Sequence, residues 1–208
     1  MKRLCLLPLF TLPLLAQGAL FQEDTALPPS LGVHLQVGIP RGDADRDLNQ
    51  HIGYGLALAY PWHLGGRHLL RPNLEYNQYR IDPQLASPSG HSLTFQAWKL
   101  GLDYVMYQEP WVYRGPYVLV GVGLQHAEVA YPVLSGAPSV SHHSSLTTPW
   151  AGAGFGYQFT ADIGLELRYS VAAYAAERGQ PLTSPTLTEP IHRDGRFLHL
   201  ILALRAPF

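Results

Sequence analysis

Charged side chains recur along this chain at spacings of two and four residues, which would put them on one face of a β-strand. Glu75 follows Arg71 by four residues, and Arg168 follows Glu166 by two. Such groups could form ion pairs, or they could carry protons or ions along a wet path. Unpaired charges inside a narrow closed sheet would be costly, so we expect a salt-bridge network that plugs the interior and keep the ion path as the alternative. The predicted lumen network consists of Arg71, Glu75, Lys99, Asp103, Glu166, Arg168 and Arg205.

Histidines are the second group that could do chemistry, because imidazole binds transition metals and transfers protons. Adjacent His142 and His143 give poor ligand spacing within one loop, and no acidic cluster accompanies them. His34 and His199 should point into the lumen near its rim as hydrogen-bonded interior residues. We therefore predict no metal site and no cofactor, and we expect solvated side chains for the histidines of predicted loops and rims: His91, His126, His142, His143 and His192.

Nucleotide and nucleic-acid partners are excluded by context and charge. The glycines of Gly121-Val122-Gly123 do not open a helix, as a phosphate-binding loop must. The formal net charge is -1, and no basic stripe is present.

The elements that must position these groups are β-strands, because apolar residues alternate with small or polar ones from Leu31 onward. Each segment is about as long as the roughly 9–11 residues of a tilted membrane strand. The eight predicted strands are Leu31–Ile39, Ile52–Tyr60, Leu70–Asn77, Trp98–Met106, Tyr117–Gln125, Trp150–Phe159, Ile163–Val171 and Leu198–Ala206.

The composition of the two strand faces favours a membrane barrel over a soluble one. One face carries large apolar residues, whereas the other carries glycine, alanine and the scattered charges. Small residues would make a poor solvent surface but suit the inside of a narrow barrel. The apolar face repeatedly ends in aromatic residues, which form girdles at membrane interfaces: Tyr54, Tyr60, Tyr76, Trp98, Tyr104, Phe159, Tyr169 and Phe208.

The connections alternate in length. Longer polar links and shorter turns on opposite sides are typical of outer-membrane barrels, with the long links outside and both termini in the periplasm. The predicted long links are Pro40–Gln50, Ile81–His91, His126–Thr147 and Tyr174–Gly195. The predicted short ones are Pro61–His68, Tyr107–Gly115 and Thr160–Asp162.

The first 18 residues are predicted to be a cleaved signal peptide. Lys2 and Arg3 precede an apolar run from Leu4 to Leu15, and Ala16-Gln17-Gly18 offers a small-x-small cleavage site. Residues 19–30 form a polar lead-in, and 31–208 form the barrel. The only cysteine, Cys5, lies in the leader, so the mature chain is expected to lack thiols and disulfides.

Three segments resemble the eight-stranded OmpA/OmpX-type outer-membrane barrels. Gly115 to Gly123, Trp150 to Phe159 and Gly164 to Tyr169 look like the fifth, sixth and seventh strands of that family. The resemblance implies an all-β, antiparallel, transmembrane up-and-down barrel in the outer membrane. It also implies that the terminal Phe208 is the signal read by the barrel-assembly machinery.

The sequence constrains the function less than the fold, because the family that it resembles includes structural proteins, adhesins and a few lipid enzymes. We expect a monomer with a plugged lumen, in contact with outer-membrane lipid and lipopolysaccharide. Its role would be structural, or binding of an extracellular ligand through long loops, without catalytic residues.

Two other functions stay open. His91-Ser92 and His143-Ser144 offer residue types used by lipid A acyl hydrolases and acyltransferases, and a lipid-facing Ser–His–acid constellation would favour that enzyme class. A continuous water path would favour a narrow small-solute channel.

Overall fold

In a computed structural model the described residues are 30–47, 52–81, 93–108, 114–133, 140–176 and 191–207. Over these residues the chain forms nine strand segments and one short helix, α1 (Asp43–Asp47). The strands are β1 (Ser30–Gly42), β2 (Gly53–Ala59), β3 (Trp62–Gly65), β4 (His68–Ile81), β5 (Leu93–Tyr107), β6 (Gly115–Val133), β7 (Val140–Gln158), β8 (Ile163–Ala176) and β9 (Ile191–Pro207). Within this part of the chain, no helix is long and apolar enough to span a membrane.

The sheet closes on itself. Every neighbouring pair is antiparallel, β1 pairs with β9 from Ser30 opposite Pro207 to Gly42 opposite Gly195, and β2 pairs with β4. Closure removes open edges, whose unpaired backbone groups could not survive in hydrocarbon.

The nine segments make eight barrel strands, because β2 and β3 are two parts of one strand. Both pair with β4, and the register continues from Ala59 opposite Asn73 to Trp62 opposite Leu70, with a shift only between His63 and Gly65. Pro61 lies between them and has no N–H to donate to the ladder. The predicted eight-stranded antiparallel barrel is therefore confirmed.

The barrel has two distinct ends. The turn end carries the tight β3–β4 and β7–β8 connections, the start of β1 and the end of β9. Gly65 and Gly66 adopt positive φ of 107° and 55° in the first of these turns, a region open to glycine. In the second, the Thr160 hydroxyl accepts the N–H groups of Asp162 and Ile163. The opposite end, where β6 passes to β7, is called the loop end below.

The prediction that His126–Thr147 is a loop was wrong. β6 and β7 stay paired from Gly115 opposite Gln158 up to Val133 opposite Val140. The residues are polar because they lie beyond the apolar part of the wall, and continued pairing still satisfies their backbone groups. Other predicted links are shortened in the same way, since Pro40–Gly42 belongs to β1 and residues 174–176 pair with residues 191–193.

The inside of the barrel is packed at both ends. At the loop end the rings of Tyr79, Phe95, Tyr174 and Phe197 meet beneath the buried Ala44 of α1. At the turn end lies a second apolar cluster, formed by Leu69, Val105, Tyr107, Tyr117 and Leu119. Charged and amide side chains fill the space between these clusters.

Glycine makes room for one of the large rings. The Tyr79 ring packs against Gly38 and Gly53 so closely that a Cβ at either position would overlap it.

Some predictions fall beyond the described residues. The signal peptide 1–18 and almost all of the lead-in lie outside them, and Ser30, predicted as its last residue, already pairs in β1. Phe208 and His91 lie outside them as well, and the side chains of His142, His143 and His192 are not described.

Candidate functional site

Arg168 on β8 is the centre of a cluster of ionised side chains in the lumen. Its Nη1 donates to Glu75 Oε1 at 2.6 Å, and its Nη2 donates to Asp103 Oδ2 at 2.8 Å. Nε and Nη2 also reach Glu166 Oε1 at 3.0 and 2.8 Å. All four residues are at most 3% exposed, so water does little to screen these contacts.

Arg71 on β4 is the second cation of the cluster. Its Nη2 lies 2.8 Å from Asp103 Oδ2 and 2.9 Å from Glu166 Oε2. The Tyr117 hydroxyl donates to the same Glu166 oxygen at 3.1 Å. Five of the predicted lumen residues therefore form one contiguous ion-pair cluster: Arg71, Glu75, Asp103, Glu166 and Arg168.

The remaining two predicted lumen residues have different neighbours. Lys99 Nζ donates to Ser170 Oγ at 3.3 Å and lies 5.6 Å from the ring centroid of Trp150. Ser170 Oγ in turn lies 3.3 Å from His199 Nε2. His199 points into the lumen as predicted, but it lies opposite Arg168 and not near the rim. Arg205 Nη2 donates to the Tyr107 hydroxyl at 3.3 Å, toward the turn end.

The cluster is built by three strands and accommodated by others. β4 supplies Arg71 and Glu75, β8 supplies Glu166 and Arg168, and β5 supplies Asp103, at even spacings that point all of them inward. β6 and β7 present glycines to the same space. A Cβ at Gly121 would overlap Asp103, and one at Gly156 would overlap the Tyr117 ring. The glycine-rich stretches of the sequence thus make room for long side chains from across the barrel.

The chemistry open to this cluster is limited by its pairing. Its guanidinium groups bind carboxylates at hydrogen-bond distance, and a buried apolar cluster lies toward each end of the lumen. In the part of the chain that the structure describes, no group of three His, Cys, Asp or Glu residues is placed to hold a metal ion. The arrangement is suited to holding strands together.

A second polar arrangement lies on the outside of the barrel. His126 and Glu128 on β6 and Thr147 on β7 point outward near the loop end. His126 Nδ1 lies 2.8 Å from Thr147 Oγ1, and its Nε2 lies 3.1 Å from Glu128 Oε1. The prediction that His126 lies in a loop was wrong, because β6 extends through it. The even spacing of Leu124, His126 and Glu128 is the signal that could have placed it on the strand.

Comparison with known proteins identifies the architecture. Neither a protein-family model nor a curated protein sequence matches the chain. Among solved structures it is similar to Ail, the attachment invasion locus protein of Yersinia pestis, in a complex with the heparin analogue sucrose octasulfate. The TM-score is 0.54 at 11% identity, over 86% of this chain and 100% of that chain. The fold is that of the eight-stranded outer-membrane β-barrels.

Two further structures are similar at lower scores. Neisserial surface protein A gives a TM-score of 0.48 at 12% identity, over 86% of this chain and 97% of that one. The N-terminal β-barrel domain of Pseudomonas aeruginosa OprF gives 0.47 at 14%, over 85% and 97%. The resemblance to this architecture found in the sequence is confirmed. At these identities the likeness concerns fold, and the roles of individual side chains rest on this chain's own geometry.

Proposed function

We propose that this protein is an outer-membrane barrel with a plugged lumen that acts through its surface, in envelope structure or in ligand binding. The observation that carries the proposal is the inverted distribution of side chains. Large apolar residues are exposed on the outer wall, such as Leu100 at 62% and Val122 at 61%, whereas Arg71 and Glu166 are buried inside.

A bilayer is the surrounding that this outer wall fits. Contiguous apolar patches on soluble monomers rarely exceed a few hundred Å², and here exposed apolar residues occur on every barrel strand. Aromatic residues such as Tyr76 and Trp98, whose rings lie 4.7 Å apart, are suited to the interface. We expect a monomer in contact with outer-membrane phospholipid and lipopolysaccharide.

The proposed orientation puts the turn end in the periplasm and the loop end outside. β1 begins and β9 ends at the turn end, which fits a chain delivered from the periplasm after removal of a signal peptide. The barrel-assembly machinery would then insert the chain by reading Phe208.

The closed lumen favours this role over a channel. The aromatic cluster at the loop end, the ion-pair cluster and the apolar cluster at the turn end fill successive levels of the interior. Purified protein in planar lipid bilayers should therefore show no steady conductance, because displacing these layers would break buried ion pairs. Stable ohmic conductance of the folded protein would contradict the plugged lumen and indicate an open pore.

Ligand binding at the loop end has one specific feature in its favour. Arg41 and Arg196 are both exposed and directly opposite each other on β1 and β9, and like charges in such a pair repel each other. A polyanion bound between them would remove this repulsion. Sucrose octasulfate, present in the Ail structure, is a suitable probe, and binding should weaken in R41A/R196A. Equal binding by that variant would exclude the pair as the contact site.

A further inference from the structure

The outward-facing His126, Glu128 and Thr147 form a linear hydroxyl–imidazole–carboxylate chain. With the proton on Nε2, His126 donates to Glu128 Oε1 at 3.1 Å, and its Nδ1 accepts from the Thr147 hydroxyl at 2.8 Å. A hydroxyl bonded to an imidazole that is held by a carboxylate is the arrangement that activates oxygen nucleophiles.

These three residues lie where the apolar wall of the barrel ends. Trp98 is opposite His126 on β5, and the next outward pair toward the turn end is Leu124 and Pro149. The next outward pair toward the loop end is polar, Glu128 and Ser145. In the proposed orientation the hydroxyl and imidazole therefore lie near the ester groups of outer-leaflet lipids.

An apolar depression lies on the outer wall one outward residue pair from His126 and Thr147, toward the turn end. It is lined by Leu124, Pro149, Ala151, Val171 and Ala173 on β6, β7 and β8. The two alanines are small where neighbouring strands present larger side chains, so the wall is indented. An acyl chain lying in this depression would bring its carbonyl group toward Thr147.

We infer that the outer wall of this barrel carries a lipid acyl-ester hydrolase site. Thr147 is the nucleophile, His126 the general base and acid, and Glu128 the positioning residue that orients the imidazole. The sequence analysis named a lipid-facing Ser–His–acid constellation built on His91-Ser92 or His143-Ser144, whereas this site has a threonine and consists of other residues.

The reaction balances with water as the second substrate. Thr147 Oγ attacks the ester carbonyl carbon as its proton passes to His126 Nδ1. The bond from that carbon to the lipid alcohol oxygen breaks, and the alcohol leaves with the proton from His126. Water from the headgroup layer then attacks the acyl-threonine and gives its proton to His126. The fatty acid is released and Thr147 regains its proton.

The inference goes beyond the proposed envelope role and rests on the membrane placement and orientation proposed with it. The opposing reading is that His126 and Thr147 are a cross-strand polar pair that anchors the barrel among headgroups. A merely structural pair stabilises the sheet and releases no fatty acid. Product formation therefore separates the two readings.

The test uses the mature chain folded into two kinds of vesicle, one of phosphatidylethanolamine and phosphatidylglycerol and one that also contains lipopolysaccharide. Released fatty acid is measured by mass spectrometry. Release in the first vesicles assigns phospholipid as the substrate, and release of hydroxylated chains in the second alone assigns lipopolysaccharide. We expect T147V and H126F to lower the rate on the order of 10²-fold or more, T147S to retain it, and E128Q to lose less than T147V.

Matched controls separate catalysis from folding. S145A removes an exposed hydroxyl from the same strand face, opposite Glu128, and should leave the rate unchanged. Each variant is scored only as its heat-modifiable, folded fraction. No release by the unaltered protein, full release by T147V, or a T147S variant as inactive as T147V would overturn the assignment and leave the proposed envelope role standing.

Discussion

Replacing Arg168 by methionine should destabilise the barrel more than any other single change in the lumen. The substitution removes one cation from contact with the carboxylates of Glu75, Asp103 and Glu166. Asp103 and Glu166 keep Arg71 as a partner, but Glu75 loses its 2.6 Å contact. Removing one partner of a buried ion pair costs roughly 3–5 kcal/mol, and we expect a value in that range.

The measurement is the free energy of unfolding in urea, for protein folded in phospholipid vesicles. R67M makes the same chemical change at an exposed turn residue and should stay within about 0.5 kcal/mol of the unaltered protein. K99M should cost less than R168M, because Lys99 has one 3.3 Å hydrogen bond and lies outside the ion pairs.

A double-mutant cycle tests the coupling directly. In R168M/E75Q the carboxylate left behind is neutral, so the double variant should be more stable than the sum of the single changes predicts, by roughly 0.5–3 kcal/mol. A cost for R168M below about 1 kcal/mol, or strict additivity in the cycle, would refute the cluster as a stabilising unit.

Three further predictions follow from the packing and orientation. G53V should lower unfolding stability by roughly 1–3 kcal/mol, because its side chain would overlap the Tyr79 ring, and denaturant titration checks this. Protease added to intact cells should cut within residues 134–139 or 177–190. Cuts confined to Pro61–His68 or Tyr107–Gly115 would show that the turn end, and not the loop end, faces outside. Deleting Phe208 should sharply lower the amount of heat-modifiable protein in outer-membrane fractions and leave unassembled chain in the periplasm. A full level of folded barrel without Phe208 would show that this residue is not the assembly signal.

The sequence allowed the strands and their faces to be predicted because alternation is a local property. Leu100 and Leu102 had to share one face with Trp98, and Lys99 and Asp103 the other. The closed sheet then put the charges inside and the apolar residues outside.

Register could not be predicted in this way, because alternation fixes the face of a side chain but not its level in the barrel. Arg71 reaches Glu166 across 95 positions of sequence, a contact set by the stagger of strands around the whole barrel. For the same reason Lys99, predicted with the ion pairs, lies beside Ser170 and the Trp150 ring.

Strand length was underestimated for a different physical reason. Past the apolar wall the outward face of a paired strand meets polar surroundings, while Ala127 and Val129 stay buried on its inward face. Glu128 and Ser145 therefore look like loop residues although their backbones stay paired. The outward His126–Thr147 contact lies in this region, which explains why residue patterns alone did not find it.

The central claim is that the outer wall of the barrel faces hydrocarbon while the charges are enclosed. The most direct test places a single fluorescent label at Val120 in the middle of β6, or at Arg67 in the turn, in vesicle-inserted protein. The only native cysteine, Cys5, lies in the predicted leader, so each labelled variant carries one thiol. We predict that brominated lipid quenches the label at Val120 and iodide quenches the label at Arg67. Iodide quenching at Val120 equal to that at Arg67, without quenching by brominated lipid, would contradict the account.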